Sequence, residues 1–344
     1  MSPLSFRDLE HRHATLEQKK DLLVHLNRLV PWEEFQPLLR QVHDKPRKSP
    51  AGRKAKPVLL MFKLLILQKL YNISDEELEY QVNDRLSFMR FLGLGLNDKV
   101  PDATTVWFFR EQLRIQGLIV PLFEQFEGYL RTHGYAAKGG QIVDATLIPV
   151  PKQRNSHEEN EQIKRGEPPE AWKNKPHQCA QKDTEARWTK KHGVSHFGYK
   201  DHISTDVEYG LIRRFAITDA SVHDSQMLGQ ILDGENEGDG VWGDSAYRSD
   251  AIEAALRLLK FDSHIHERAY RNRPLTDPQK EDNRGRSKIR ARIEHVFGGW
   301  VMTMGGKALR SIGLERARTH LGLTNLAYNL KRFVFWQVKS VSMP

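Results

Sequence analysis

The sequence predicts an α/β (α+β) protein: an all-helical N-terminal region, then a mixed β-sheet core flanked by helices. Three observations carry this. Through the first 135 positions, apolar residues recur at helical spacing. From Gly139 and Gly140 onward, segments rich in strand-forming residues with period-two alternation take over. Further on, strand patterns alternate with amphipathic segments, so the later strands are joined through helices. The expected division is a helical domain at 1–135 and an α/β domain at 136–344.

In the first region, Leu16–Val30 carries Leu22, Leu23, Leu26, Leu29 and Val30 near helical spacing, and Pro31 stops it. Trp32–Val42 starts a second helix. Lys45–Lys56 is a basic loop holding Arg53 and Lys54; it reads as a phosphate contact or as a solvated linker. Pro57–Tyr71 is strongly apolar and central. Ser74 opens the next helix, which runs to about Leu92. Asp102 caps a helix containing Val106, Trp107, Phe109 and Leu113, and Gly117 and Gly134 frame the last one.

Gln141–Val150 then alternates as a strand, with Ile142, Asp144, Thr146 and Ile148 on one face. Lys152–Lys191 is polar, with Ile163, Trp172 and Trp188 as its only large apolar residues, too few to build a core. It reads as an irregular insertion at about 152–191 whose two tryptophans are candidates to stack on a base. Phe197–Asp206 and Leu211–Asp219 are hairpin strands turning at Tyr209 and Gly210. Ser221–Leu232 reads as a helix, Gly240–Asp244 as a strand, Ala251–Leu259 as a helix capped by Ser249, and Ser263–His266 as a strand. Asp277 and Pro278 open the helix that contains Glu294, and Leu314–Val338 closes the chain.

The 344 residues are 39% hydrophobic and 28% charged, as in globular proteins. The single cysteine, Cys179, excludes a disulfide framework and a cysteine zinc cage. The longest apolar run is broken by Lys63, and Arg7, Asp8, Glu10 and Arg12 stand where a signal peptide needs apolar residues. A cytoplasmic, nucleoid-associated protein with no membrane partner is expected. Net charge is +9, and it is segregated: residues 268–344 hold sixteen basic and five acidic side chains, a local +11. A polyanionic partner fits that distribution.

Three carboxylates stand out. Aspartate is depleted in strands and costly when buried, so Asp144 in mid-strand needs a metal ion or a buried arginine to balance it. Asp244 ends a short strand, where ligand sites lie in open α/β folds, or it caps the turn before Tyr247. Glu294 sits amid Arg286, Lys288, Arg290 and Arg292, and pairing with Arg290 four residues earlier is its plainest role. Taken together, hard oxygen ligands from three segments suit Mg²⁺ or Mn²⁺, and two such ions would support phosphodiester attack.

The segments IVDATLIPVP, HFGYKDHISTD, VHDSQ, GDSAYRS and RARIEHVFGGW resemble those of DDE transposases of bacterial insertion sequences, in the branch grouped with insertion sequence five. Residues of about 15–110 resemble that branch's amino-terminal domain. The resemblance implies a ribonuclease-H-like core with Asp144, Asp244 and Glu294 as a metal-binding triad. It also implies Mg²⁺-dependent cleavage and joining at terminal inverted repeats, with Mn²⁺ able to substitute. The partners it implies are double-stranded repeat and target DNA and further copies of the chain, as a homodimer or higher multimer. The wider group carries a Tyr-x2-Arg-x3-Glu-x6-Lys signature. Here Arg290 and Glu294 match it, but Ser287 and Val301 take the tyrosine and lysine positions. Lys307 and Arg310 are candidates to replace the lysine, and Arg290, Lys200 and His202 are further DNA-contact candidates. Two rival readings stay open: a catalytically silent DNA-binding protein, and a nuclease that never rejoins ends.

Overall fold

The computed structural model describes residues 10–12, 14–15, 21–43, 55–167, 169–191, 193–306 and 309–341. Arg53, Lys54 and Lys307 lie outside the described residues, as do residues 16–20 of the first expected helix. The chain packs as two units, residues 1–126 with 323–344, and residues 127–322.

The first unit is helical. Its central helix, Val58–Tyr71, has almost no polar face, and Phe62, Leu64, Leu65, Ile66 and Leu67 are at most 1% exposed. Burial of such side chains stabilises by roughly 1.5–3 kcal/mol each. Asn72 ends the helix in the left-handed conformation at φ 49°. Ser74 caps Asp75–Asp84 by accepting from Glu77 N at 3.1 Å, and Asp102 caps Ala103–Ile115 by accepting from Thr105 N at 2.7 Å. Between these helices Arg110 is buried and binds both Asp75 oxygens, at 2.8 and 2.7 Å. Among the described residues no helix is long and apolar enough to cross a membrane.

The second unit is built on one mixed sheet: β1 (Gln141–Pro149), β2 (Arg187–Lys191), β3 (Val194–Asp206), β4 (Ile212–Asp219), β5 (Gly240–Gly243) and β6 (Asp262–Ile265). The order is β2-β3-β1-β5-β6, with β4 also on β3. The β2–β3, β3–β4 and β1–β3 pairs are antiparallel, and β1–β5 and β5–β6 are parallel. The expected fold class therefore forms: antiparallel strands at one side, helix-linked parallel strands at the other. Gly198 makes the join between β2 and β1 possible. It pairs with both Arg187 and Pro149, and a Cβ there would stand 2.1 Å from the Ile148 carbonyl oxygen.

Several details differ from expectation. The helix expected from Ser74 to about Leu92 is two, Asp75–Asp84 and Leu86–Leu92, parted by the extended backbone of Arg85, and the one expected at Trp32–Val42 is the short helix Gln36–Arg40 between two 3₁₀ turns. Ser221–Leu232 is not one helix but a 3₁₀ turn, Asp224–Met227, running into the short helix Leu228–Ile231. The helix containing Glu294 is divided into Asp277–Arg290 and Glu294–Thr303 by the 3₁₀ turn Ala291–Ile293. The 152–191 segment is not irregular. Ser156 forms a full capping box on His157–Lys164, and β2 adds an edge strand to the sheet. Polar anchors make up for its few apolar side chains. The ring of Trp172 is 2% exposed and its Nε1 donates to Glu159 at 2.7 Å. Buried Asp183 accepts from Ala186 N at 3.0 Å, and from the Tyr199 hydroxyl at 2.8 Å.

Candidate active site

The parallel register of β1 and β5 pairs Gln141 with Val241 and Ile142 with Trp242. Continued two residues, it brings Asp144 level with Asp244. The two acids thus arise from adjacent strands at the same height. Asp144 is held in place by its own backbone: Oδ1 accepts from Ala145 N at 2.7 Å. Asp244 caps the 3₁₀ turn Ser245–Tyr247, with Oδ1 accepting from Ala246 N at 2.9 Å. The two readings of Asp244 are therefore compatible, because one oxygen serves the cap.

The electrostatics of Asp144 are those of a carboxylate short of compensation. Burial is the largest influence and raises its pKa; the charge of Asp244 adds to this, while the Ala145 N–H, Arg290 and Lys191 oppose it. The balance leaves the group pushed up to about 6. Two neighbouring carboxylates, one of them largely desolvated, form a natural seat for a divalent cation with hard oxygen ligands.

Glu294 reaches this pair only indirectly. Its side chain is 67% exposed, and Arg290 Nη2 stands 3.5 Å from Oε1. The same guanidinium donates through Nη1 to Asp144 Oδ2 at 3.1 Å. Arg290 therefore bridges the strand acid and the helix acid. Arg290 is thus one counter-charge to Asp144, of the kind its mid-strand setting calls for. Among the described residues no cluster of three or more His, Cys, Asp or Glu side chains is arranged to hold a metal. The Asp144–Asp244 pair offers hard oxygen donors that fit a cation, and Arg290 stands between Asp144 and Glu294.

The basic helix is tied to the sheet by its arginines. Arg286 Nη1 donates to the Ile265 carbonyl at 2.6 Å, and Arg292 Nη1 donates to the Val207 carbonyl at 2.9 Å. Ile293, Val296 and Trp300 are buried beneath it. Ser287, at the tyrosine position of the signature, donates to the Asn283 carbonyl at 2.7 Å and lies 3.3 Å from His266 Nε2. Val301, at the lysine position, is 49% exposed. Arg310 is exposed.

Lys200 and His202 sit elsewhere. Their β-register partners are Leu147 and Ala145, so they share the sheet face opposite Asp144. Lys200 Nζ donates to Asp224 at 2.8 Å and to the Val222 carbonyl at 2.7 Å. His202 is fully buried against Thr218 Oγ1 at 2.9 Å, and burial is the chief cause lowering its pKa to about 4. Of the two insertion tryptophans, Trp172 is enclosed, while Trp188 is 44% exposed with Lys152 5.9 Å above its ring. Asp224, which the sequence places in a capping segment, is therefore on the Lys200 side of the sheet.

Two sequence families match the chain. One, described as Transposase DDE domain, matches residues 136–330, and the other, described as Transposase domain (DUF772), matches residues 11–112. Among solved structures, the chain is similar to one from the cryo-EM structure of a piggyBac transposase synaptic complex with hairpin DNA. The two are 11% identical, the match covers 96% of this chain and 78% of that one, and the TM-score is 0.46.

Proposed function

The chain belongs to the DDE transposase family, and on that premise we propose that Asp144, Asp244 and Glu294 are the carboxylates with which it cuts and joins DNA. The reading is supported by the β1–β5 register, which, continued two residues, brings Asp144 in mid-strand level with Asp244 just past the end of β5. Enzymes of this family are generally dependent on a divalent metal. We assign Mg²⁺, with Mn²⁺ as a substitute, because the donors are carboxylate oxygens alone. When bound, such ions supply Lewis-acid activation of a water or 3′-hydroxyl and stabilise the leaving oxygen.

The chain's own groups do the rest. Asp144 and Asp244 present the fixed acceptor oxygens. Arg290, released from Asp144, moves its charge toward a DNA phosphate one helical turn from Glu294. The 1–135 region serves end binding or multimerisation, a reading supported by the transposase-domain match at 11–112. The substrates are the terminal inverted repeats of an insertion sequence and its target DNA, and the working state is a homodimer or higher multimer at the nucleoid. Membership of the branch grouped with insertion sequence five rests on RARIEHVFGGW and GDSAYRS.

Strand transfer tests the activity. A precut duplex ending in the element's inverted repeat, with a free 3′-hydroxyl, is expected to be joined to target DNA in Mg²⁺ and not in EDTA. Hydrolysis with no joined product would point to a nuclease instead.

The site itself predicts a pH dependence. The Asp144 carboxyl, at about 6 in the fold and raised from 3.8, takes up a proton more readily in the folded chain than in the unfolded one. Between those values its contribution to metal-free stability therefore falls as pH rises. Stabilisation by a cation runs the other way, because only the ionised carboxylate is a ligand. The Mg²⁺-induced rise in melting temperature should be large at pH 7.5 and nearly absent at pH 5. A rise of equal size at both pH values would remove Asp144 from the ligand set.

A further inference from the structure

Where β6 ends, the chain leaves the sheet beside the strand that leads to Asp244. The His266 N–H donates to the Gly243 carbonyl at 3.1 Å, and Gly243 is the chain neighbour of Asp244. The next residue is anchored on three sides. The Glu267 N–H donates to Asn283 Oδ1 at 2.8 Å, Asn283 Nδ2 donates back to the Glu267 carbonyl at 3.1 Å, and Arg248 holds the Glu267 carboxylate at 2.7 Å. Beyond this anchor the chain makes a tight turn. The Tyr270 N–H donates to the Arg273 carbonyl at 3.1 Å, and the Arg273 N–H donates to the Tyr270 carbonyl at 3.0 Å. Pro274 favours extended backbone at Arg273, and Thr276 caps the helix Asp277–Arg290 that follows. Both stems of the turn are therefore fixed.

The tip between them carries charge. Residues 268–274 are all exposed, and they include Arg268, Arg271 and Arg273 with no acid. The flanking acids are engaged elsewhere, Glu267 by Arg248 and Asp277 by Lys280 at 2.9 Å. Among the described residues none of the three guanidiniums pairs with a carboxylate. Tyr270 is 59% exposed, with the Arg268 guanidinium carbon 5.9 Å from the centre of its ring. Like charges gathered on one fixed turn repel one another, and a polyanion relieves that repulsion. The planar guanidinium donors match phosphate oxygens in particular. At ~3.3 Å per residue, Tyr270 lies within about 10 Å of the Glu267 anchor, the span of about three nucleotides along one DNA strand.

We infer that the turn Tyr270–Arg273, with Arg268 in its stem, is a phosphate clamp that holds the DNA strand within a few nucleotides of the bond being cut. This rests on the assignment of Asp144 and Asp244 as the cutting carboxylates, which places that bond at the neighbouring strand end. The fixed stems let the clamp bind without first being ordered, so its contacts are realised in full as affinity.

The test is a titration of the full chain, in EDTA, with a fluorescent duplex carrying the element's end and its flank. Wild type is compared with a variant carrying Arg268→Gln, Arg271→Gln and Arg273→Gln. These side chains are exposed and free of ion pairs, so the variant's melting temperature should equal that of wild type. Its affinity should fall less steeply with salt. With three phosphate contacts at a slope of about 0.9 each, wild type should lose roughly 40-fold more affinity than the variant between about 50 and 200 mM salt. Uncharged methylphosphonate linkages near the cut should weaken wild type by about 10-fold and leave the variant unaffected. Equal salt dependence in the two chains would overturn the clamp, and so would a variant as sensitive to the neutral linkages as wild type. A lowered melting temperature in the variant would overturn it too, because the arginines would then serve the fold. An Asp144→Asn chain that cuts the same duplex in Mg²⁺ like wild type would overturn the carboxylate assignment, and the clamp's place beside the cut with it, even where the salt difference is present.

Discussion

Asp144→Asn is expected to abolish strand cleavage while leaving binding to the element's ends intact. The amide keeps the shape of the carboxylate and can still accept from Ala145 N, so the strand is undisturbed. What it loses is the charge that a cation requires and one half of the Arg290 bridge at 3.1 Å. Stabilisation of developing charge by preorganised groups often dominates catalysis, and loss of one such group costs on the order of 10²–10³-fold. On the proposed assignment Asp144 would hold the metal itself, so its loss should exceed that. End binding draws mainly on phosphate contacts, which are independent of the metal. Cleavage of inverted-repeat DNA in Mg²⁺, run beside a mobility-shift assay, separates the two. An Asp144→Asn chain that still cuts would sink the assignment.

The substitution also probes Arg290. With Asp144 neutral, the carboxylate left beside the guanidinium among the described residues is Glu294, which is 67% exposed and offers a weak, screened partner. Arg290 should then be freer to meet phosphate, so end binding by Asp144→Asn should be equal to wild type or tighter, and never weaker.

Much of the site is legible in the sequence. Asp144 stands out because a charge in mid-strand contradicts its apolar flanks, and Asp244 because a strand ends on it. Their pairing is not legible, since it depends on the register between β1 and β5, strands that lie one hundred positions apart. The position of Glu294 can be found but its setting cannot: helical periodicity does not say that Arg290 reaches across to Asp144. The 152–191 segment misleads for a different reason. Counting large apolar residues finds cores built by hydrophobic burial, and this one is held by Trp172 together with a buried aspartate, Asp183, bonded to Tyr199. Lys200 and His202 look like surface cations by type; pairing with β1 turns them to the opposite face of the sheet from Asp144.

Arg213→Met should be the most destabilising single change in the second unit, at about 3–5 kcal/mol near pH 8. Arg213 is 1% exposed. It donates to Asp206 at 3.0 Å, to both Glu127 oxygens at 2.9 and 3.0 Å, and to the Tyr135 carbonyl at 2.7 Å. Arg131 extends the network, standing 3.0 Å from Glu127 and 2.9 Å from Asp233. Methionine fills most of the volume, so the loss is electrostatic: two buried carboxylates lose their main counter-charge. Even with Arg213 present, burial outweighs the arginines and lifts Glu127 to about 7, and it also raises Asp206. Both groups therefore bind protons more tightly in the folded chain than in the unfolded one, and stability falls as pH climbs through that range. Without Arg213 the folded values rise further, so the variant should lose more stability than wild type between pH 5.5 and pH 8. Urea unfolding at the two pH values checks this: the deficit should shrink at pH 5.5, below the value of about 7 to which Glu127 is lifted. A deficit below about 1 kcal/mol at pH 8, the range of an exposed pair, would mean the network is only a surface-like contact. The consequence reaches the active site through geometry. Asp206 pairs in register with Gln141, three residues before Asp144 on β1. An unbalanced charge at that end of β3 should loosen the β1–β3 ladder beside Asp144, so on the proposed assignment the variant should also bind Mn²⁺ less tightly while still folded.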